Sequence, residues 1–144
     1  MLRNAFTSTR FIRTGPQIES RDFDGHRVDV RVPKLLTPET PILVIHDGMN
    51  VFFSKFSSSG DTWRIREAID EKRLVAEPLV VAIWGEGGKK KYNPRRINEF
   101  LCDDIFDRHP ELWNTLLPAL TPPTREPRGN YFLQLVTDQI LPAI

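Results

Sequence analysis

The stretch best suited to chemistry is His46-Asp47-Gly48-Met49-Asn50, which follows the unbroken apolar run Ile42-Leu43-Val44-Ile45. Such a short apolar run after a proline reads as a strand buried on both faces of a parallel sheet. A sharp polar turn at its end can aim peptide N–H groups outward, and ligands of open α/β sheets bind just past the carboxyl ends of the strands. Gly48 permits close backbone approach there. The chemistry this arrangement offers is a backbone N–H donor of the kind an oxyanion hole uses in acyl transfer. Judged on this segment alone, a plain strand-to-loop turn is an equal reading.

The attacking half of an acyl-transfer site is not encoded beside it. No serine lies in a G-x-S-x-G elbow, and Ser8, Ser20, Ser54, Ser57, Ser58 and Ser59 all sit in the N-terminal arm, a hairpin or a loop. His26 beside a turn, His46 at a strand end and His109 before a proline assemble no triad. Gly85 to Lys91 is rich in glycine and then lysine, but Ile83 stands where a phosphate loop needs its first glycine, so a solvated loop is expected. Asp103, Asp104, Asp107, His109 and Glu111 lack the spacing of a metal site and read as an exposed acidic helix face. Cys102, beside two aspartates, is expected to be an ordinary rather than an activated thiol. No metal and no cofactor is expected.

The elements that must position these groups form one domain of ordinary size, with 40% hydrophobic and 27% charged residues in 144. Twenty basic against nineteen acidic side chains leave no field to steer toward nucleic acid or an anionic membrane. A lone cysteine excludes an intramolecular disulfide, and no apolar run approaches the roughly 20 residues of a membrane span. The expected location is cytoplasmic. The alternative is mitochondrial or another organelle, because Arg3, Arg10 and Arg13 lie among hydroxylated and apolar residues with no acid before Glu19. Residues 1–14 are accordingly read as an arm, presequence-like or forming a first edge strand, ahead of a domain spanning 15–144.

Along that domain, Asp24-Gly25 is a favoured hairpin turn, and Val28, Val30 and Val32 alternate with Asp29 and Arg31. This predicts antiparallel strands between Ile18 and Val32 with one wet face. After the Ile42–Ile45 strand, Ser57 to Gly60 reads as a flexible loop. Asp61 or Thr62 then caps a helix running to about Arg73, with Ile65, Ala68 and Ile69 on one face. Leu79 to Trp84 is a second continuous apolar strand, so strand, helix and strand make a parallel βαβ unit. Ile97, Leu101 and Ile105 suggest a short helix, and Pro118 to Pro127 a long irregular excursion. A last helix capped by Asn130 buries Phe132, Leu135, Val136 and Ile140 and stops at Pro142.

PILVIHDGMNVF, Gly60-Asp61-Thr62-Trp63, PLVVAIWG, Arg96-Ile97-Asn98-Glu99-Phe100 and GNYFLQLVTDQILPAI occur in the order and character of one family. Residues 15 to 144 resemble the putative esterase family of the α/β-hydrolase superfamily, which includes enterochelin esterases, S-formylglutathione hydrolases and mycolyltransferases. The resemblance implies an oxyanion hole using the Met49 N–H beside Gly48. It further implies a substrate pocket involving Asp47, Asn50, Trp63, Arg96 and Glu99, with Trp63 packed beneath the turn and Arg96 and Glu99 at the rim. Simpler roles are a core tryptophan and an i,i+3 helix pair.

In that family the elbow serine follows the helix ending L-P-x-I, here Leu141-Pro142-Ala143-Ile144. The expectation is therefore an α/β fold corresponding to the N-terminal half of an α/β-hydrolase, an antiparallel hairpin followed by parallel βαβ strands, truncated before the elbow strand. It would be a carboxylic ester or thioester hydrolase of the serine type, acting on a small-molecule ester when complete and inactive as this piece. The unpaired edge of Ile42–Ile45 would then invite self-association. The alternative is a non-catalytic α/β module that binds anions through Lys89, Lys90, Lys91, Arg95 and Arg96.

Overall fold

Asp24 and Gly25 both have positive φ, 50° and 81°, and this pair closes a two-residue hairpin whose twist matches the strands on either side. The Gly25 N–H donates to the Asp22 carboxylate across the turn, 2.9 Å. In the computed structural model, residues 12–15, 18–71, 76–85, 99–101, 104–111 and 128–144 are described. The chain divides into two units, Met1–Trp84 and Gly85–Ile144.

In the first unit the hairpin strands are β2 (Ile18–Phe23) and β3 (His26–Arg31). Their register runs from Phe23 opposite His26 to Ile18 opposite Arg31. β1 (Ile12–Gly15) adds antiparallel to β2. Beyond the hairpin come β4 (Ile42–His46) and β5 (Leu79–Ile83), which pair in parallel from Ile42 opposite Leu79 to His46 opposite Ile83. β5 also pairs antiparallel with β3, Val28 facing Ile83, so the five-stranded mixed sheet has the order β1-β2-β3-β5-β4. The unit is thus a small α/β-type domain, with the expected hairpin and the expected parallel pair.

Burial departs from the sequence pattern at two strands. β3 was expected to have a wet face, yet Asp29 is fully buried and Arg31 is 3% exposed. The reason is topological: β5 lies alongside β3, making it an interior strand, and charged partners accompany its polar side chains inward. β4 was expected to be covered on both faces, yet Ile42 is 58% and Leu43 37% exposed. It stands at the sheet edge, with β5 as its only neighbour among the described residues. β5 alone fulfils the expectation, since every residue from Leu79 to Ile83 is buried.

One face of this sheet packs Ile18, Val80 and Ala82 against Val51, Phe52 and Ile69, with Ile45, Phe53 and Ile65 at the margin. Ile69 comes from α1 (Ile65–Asp70), which starts later than predicted. Asp61 and Thr62 do not cap it. Their side chains instead bond forward within the loop, Thr62 N–H to Asp61 Oδ1 at 2.8 Å and Arg64 N–H to Thr62 Oγ1 at 3.3 Å. Arg64, at φ 60°, turns the chain into the helix without a side-chain cap. Arg73, the predicted helix end, lies outside the described residues.

The buried Arg31 guanidinium joins three parts of this unit. Its Nη2 reaches Asp70 Oδ1 at the end of α1 (3.2 Å) and Glu77 Oε1 just before β5 (2.9 Å). The Lys34 N–H donates to the other Glu77 oxygen at 3.2 Å. Burial alone would push the Glu77 carboxyl up, but the Lys34 amide, the Arg31 hydrogen bond and the charges of Arg31 and Lys34 outweigh it, leaving the group below its ordinary value.

In the second unit, α2 (Ile105–Arg108) is a single turn carrying the exposed Arg108–Asp104 ion pair. α3 (Gly129–Gln134) continues through wider π turns over Leu135–Ile140, where the Leu141 N–H reaches back to the Val136 carbonyl, and ends in a tight turn over Leu141–Ala143. Phe132, Leu135, Val136 and Ile140 are buried, the face expected from their spacing. Asn130 is not the cap; it sits inside the first turn, which Arg128 precedes. The Gly129 N–H bonds to the Leu101 carbonyl at 2.8 Å, and the Phe100 ring lies 6.5 Å from that of Phe132. Of the helix expected over Ile97, Leu101 and Ile105, Ile97 lies outside the described residues, Leu101 is in a bend and only Ile105 is helical, in α2; the excursion from Pro118 to Pro127 lies outside the described residues.

A carboxyl whose pKa is depressed by folding contributes stability above its unfolded-state pKa, and that contribution is lost as pH falls through the folded value. For Glu77 the window therefore lies below its ordinary 4.5. The urea midpoint of the chain should fall as pH drops from about 5 toward about 3, and Glu77→Gln should flatten part of that fall while lowering the midpoint at neutral pH.

Candidate functional site

The turn after β4 is built by three backbone constraints. Asp47 adopts the left-handed conformation, φ 57° and ψ 41°, which aspartate tolerates better than most residues. Gly48–Asn50 then makes a 3₁₀ turn closed by Asn50 N–H to the Asp47 carbonyl (2.9 Å) and Val51 N–H to the Gly48 carbonyl (3.1 Å). Gly48 is pressed onto the neighbouring strand. A Cβ there would lie 2.6 Å from Trp84 Cδ1 and 2.7 and 2.8 Å from the carbonyl carbon and oxygen of Ala82. Only a hydrogen fits.

The amides at the start of a helical turn have no partner within it. Met49 is half-buried, and among the described residues no backbone or side-chain acceptor takes its N–H. The structure thus places Gly48 and Met49 together in the turn at the carboxyl end of the parallel pair.

Asn50 is committed elsewhere. It is 6% exposed, and its Oδ1 accepts from the Ser58 N–H (3.0 Å) and from the hydroxyls of Ser57 (3.1 Å) and Ser58 (3.2 Å). Its carbonyl takes the Trp63 N–H at 2.8 Å. Ser57 to Gly60, read in sequence as a flexible loop, is therefore tied to the turn. Trp63 is 49% exposed, so it is not a core tryptophan; its backbone N–H is what braces Asn50. Arg96 lies outside the described residues, as do Lys89, Lys90, Lys91 and Arg95. Glu99 is buried within the second unit. Among the described residues there is no group of three side chains able to hold a metal ion. His109 and Glu111 form only an exposed pair at 3.1 Å.

The sequence reading missed a polar cluster behind this turn. Asp29 is fully buried on β3 and accepts from three side chains: Ser20 Oγ and Arg27 Nε (2.7 Å) at Oδ1, and Trp84 Nε1 (2.9 Å) at Oδ2. Arg27 Nη2 also reaches Ser20 Oγ at 3.2 Å. The Arg27 guanidinium lies 4.5 Å from the Trp84 ring centre and 5.5 and 5.8 Å from those of Phe56 and Phe53. Phe56 meets Trp84 edge-on at 5.3 Å. The available signal was that Arg27, Asp29 and Arg31 share one face of a strand, with Ser20 directly opposite Asp29.

No family model matches the sequence, and no curated protein or solved structure matches it either.

Gly48→Ala should displace the turn or the Ala82 backbone. The expected cost is about 1–3 kcal/mol of unfolding free energy, the usual penalty of overpacking a tight site. A denaturant melt of the variant checks it, and a midpoint equal to that of the unaltered chain would mean the slot is roomier than described.

Proposed function

We propose that these residues carry the oxyanion-binding half of a serine-type carboxylic ester or thioester hydrolase of the α/β-hydrolase kind, similar to the enterochelin esterases and S-formylglutathione hydrolases. The observation that carries this reading is the Met49 N–H, left without an acceptor among the described residues by a turn that Gly48 locks onto β5. The edge position of β4 supports it. In the fold the sequence resembles, the strand bearing the nucleophile elbow lies beside this one, and here the outer flank of β4 exposes Ile42 and Leu43.

On this reading the attacking hydroxyl belongs to a strand that adds to β4. A general base takes the proton of the serine hydroxyl as its oxygen attacks the acyl carbonyl, and the resulting oxyanion accepts a hydrogen bond from the Met49 N–H. Collapse expels the alcohol or thiol, which receives that proton, and leaves an acyl-serine, which water then hydrolyses with the same base taking the water's proton. One such donor is worth about 100- to 1,000-fold in rate. Asn50, Ser57, Ser58 and the Trp63 amide hold the donor in place rather than touch substrate. None of the serines in this sequence lies in an elbow, so this reading assigns the attacking hydroxyl to none of them.

The test is titration of the isotopically labelled chain with methylphosphonate, a tetrahedral anion like the intermediate. A saturable shift of the Met49 amide, lost in Gly48→Ala, is expected, with no serine labelled stoichiometrically by a fluorophosphonate. An unmoved Met49 amide would overturn the reading. So would a response centred on Lys89 to Arg96, which would favour the anion-binding module.

A further inference from the structure

The edge of the Trp84 indole that donates to Asp29 is also the edge that confines the turn. Nε1 bonds Asp29 Oδ2 at 2.9 Å, and the adjoining Cδ1 would lie 2.6 Å from a Cβ on Gly48. The Ala82 backbone would lie as close to the same Cβ, 2.7 and 2.8 Å from its carbonyl carbon and oxygen. No side chain fits between Gly48 and the ring edge, so the turn lies close against the indole as long as the ring keeps its angle. Three groups set that angle: the hydrogen bond to Asp29, the guanidinium of Arg27 near the ring face and the edge of Phe56. Arg27 is itself held by Asp29 through Nε, so one carboxylate controls two of the three. Trp84 is 1% exposed and Asp29 fully buried, so water cannot replace either partner at low cost.

We propose that Asp29 is a positioning residue for the Met49 amide, acting through the Trp84 indole on Gly48. Its carboxylate does not reach toward a ligand; it fixes the wall against which the donor turn rests. The proposal concerns the direction in which the turn points its N–H, and only its relevance to acyl chemistry rests on the hydrolase reading.

Hydrogen exchange at the two amides that close the turn, Asn50 and Val51, reads this directly. The Val81 amide in the same sample reports global opening. In Trp84→Phe, which keeps an aromatic ring but loses the donor, exchange at Asn50 and Val51 should rise about tenfold relative to Val81, as local opening separates from global opening. Asp29→Ala should do the same. Asp29→Asn offers Trp84 an amide oxygen while giving up the charge that holds Arg27, so the chain should be less stable overall but keep the Asn50-to-Val81 ratio within about threefold. Val30→Ala, which shortens a buried side chain next to Asp29 on the opposite face of β3, should lower stability with the ratio unchanged.

Equal ratios in Trp84→Phe and the unaltered chain would overturn the proposal, as would a shift in Val30→Ala as large as in Trp84→Phe. If Asp29→Ala does not fold, Trp84→Phe and Asp29→Asn still decide it. Because no ligand is involved, failure here is distinct from failure of the methylphosphonate titration.

Discussion

A carboxylate out of contact with water is tolerable only when both of its oxygens find donors in place of solvent. Asp29 meets that condition with a hydroxyl, a guanidinium and an indole N–H. The three donors come from β2, β3 itself and the residue after β5, so one side chain ties the hairpin to the end of the parallel pair. Apolar packing across the same face holds these strands together without specifying angles. The polar cluster adds direction, because each hydrogen bond weakens steeply when its geometry is lost.

That direction is passed on at short range. Trp84 and the Ala82 backbone leave room for glycine alone at position 48, and the left-handed Asp47 brings the chain into the slot. From there Asn50 gathers the serine loop and the Trp63 amide. A turn held by a close backbone approach and by side-chain hydrogen bonds has little conformational freedom of its own.

The hairpin, both strands of the parallel pair and the apolar face of the last helix were legible because each has a strong local signature. Asp24-Gly25 has one geometry open to it, and Phe132, Leu135, Val136 and Ile140 recur at helical spacing. Gly48 and Met49 were legible for the same reason, since a glycine following a polar residue at a strand end signals a tight turn. What escaped was decided by distant partners. Alternation along β3 assigns Asp29 and Arg31 to water, and nothing within those six residues reveals that β5 lies alongside. The run Ile42–Ile45 signals burial, yet its place in the strand order leaves it half uncovered. Arg64 has no cap-forming side chain, so the start of α1 is fixed by backbone conformation that composition does not encode.

The Arg31 clamp has a bearing on the order of events as the chain folds. Its partners Asp70 and Glu77 are far along the sequence, and they come within reach only after β5 has docked beside β3. The hairpin, by contrast, closes locally and early. The clamp therefore depends on non-local pairing that the hairpin does not need, and its closure reports that the interior of the sheet has been assembled.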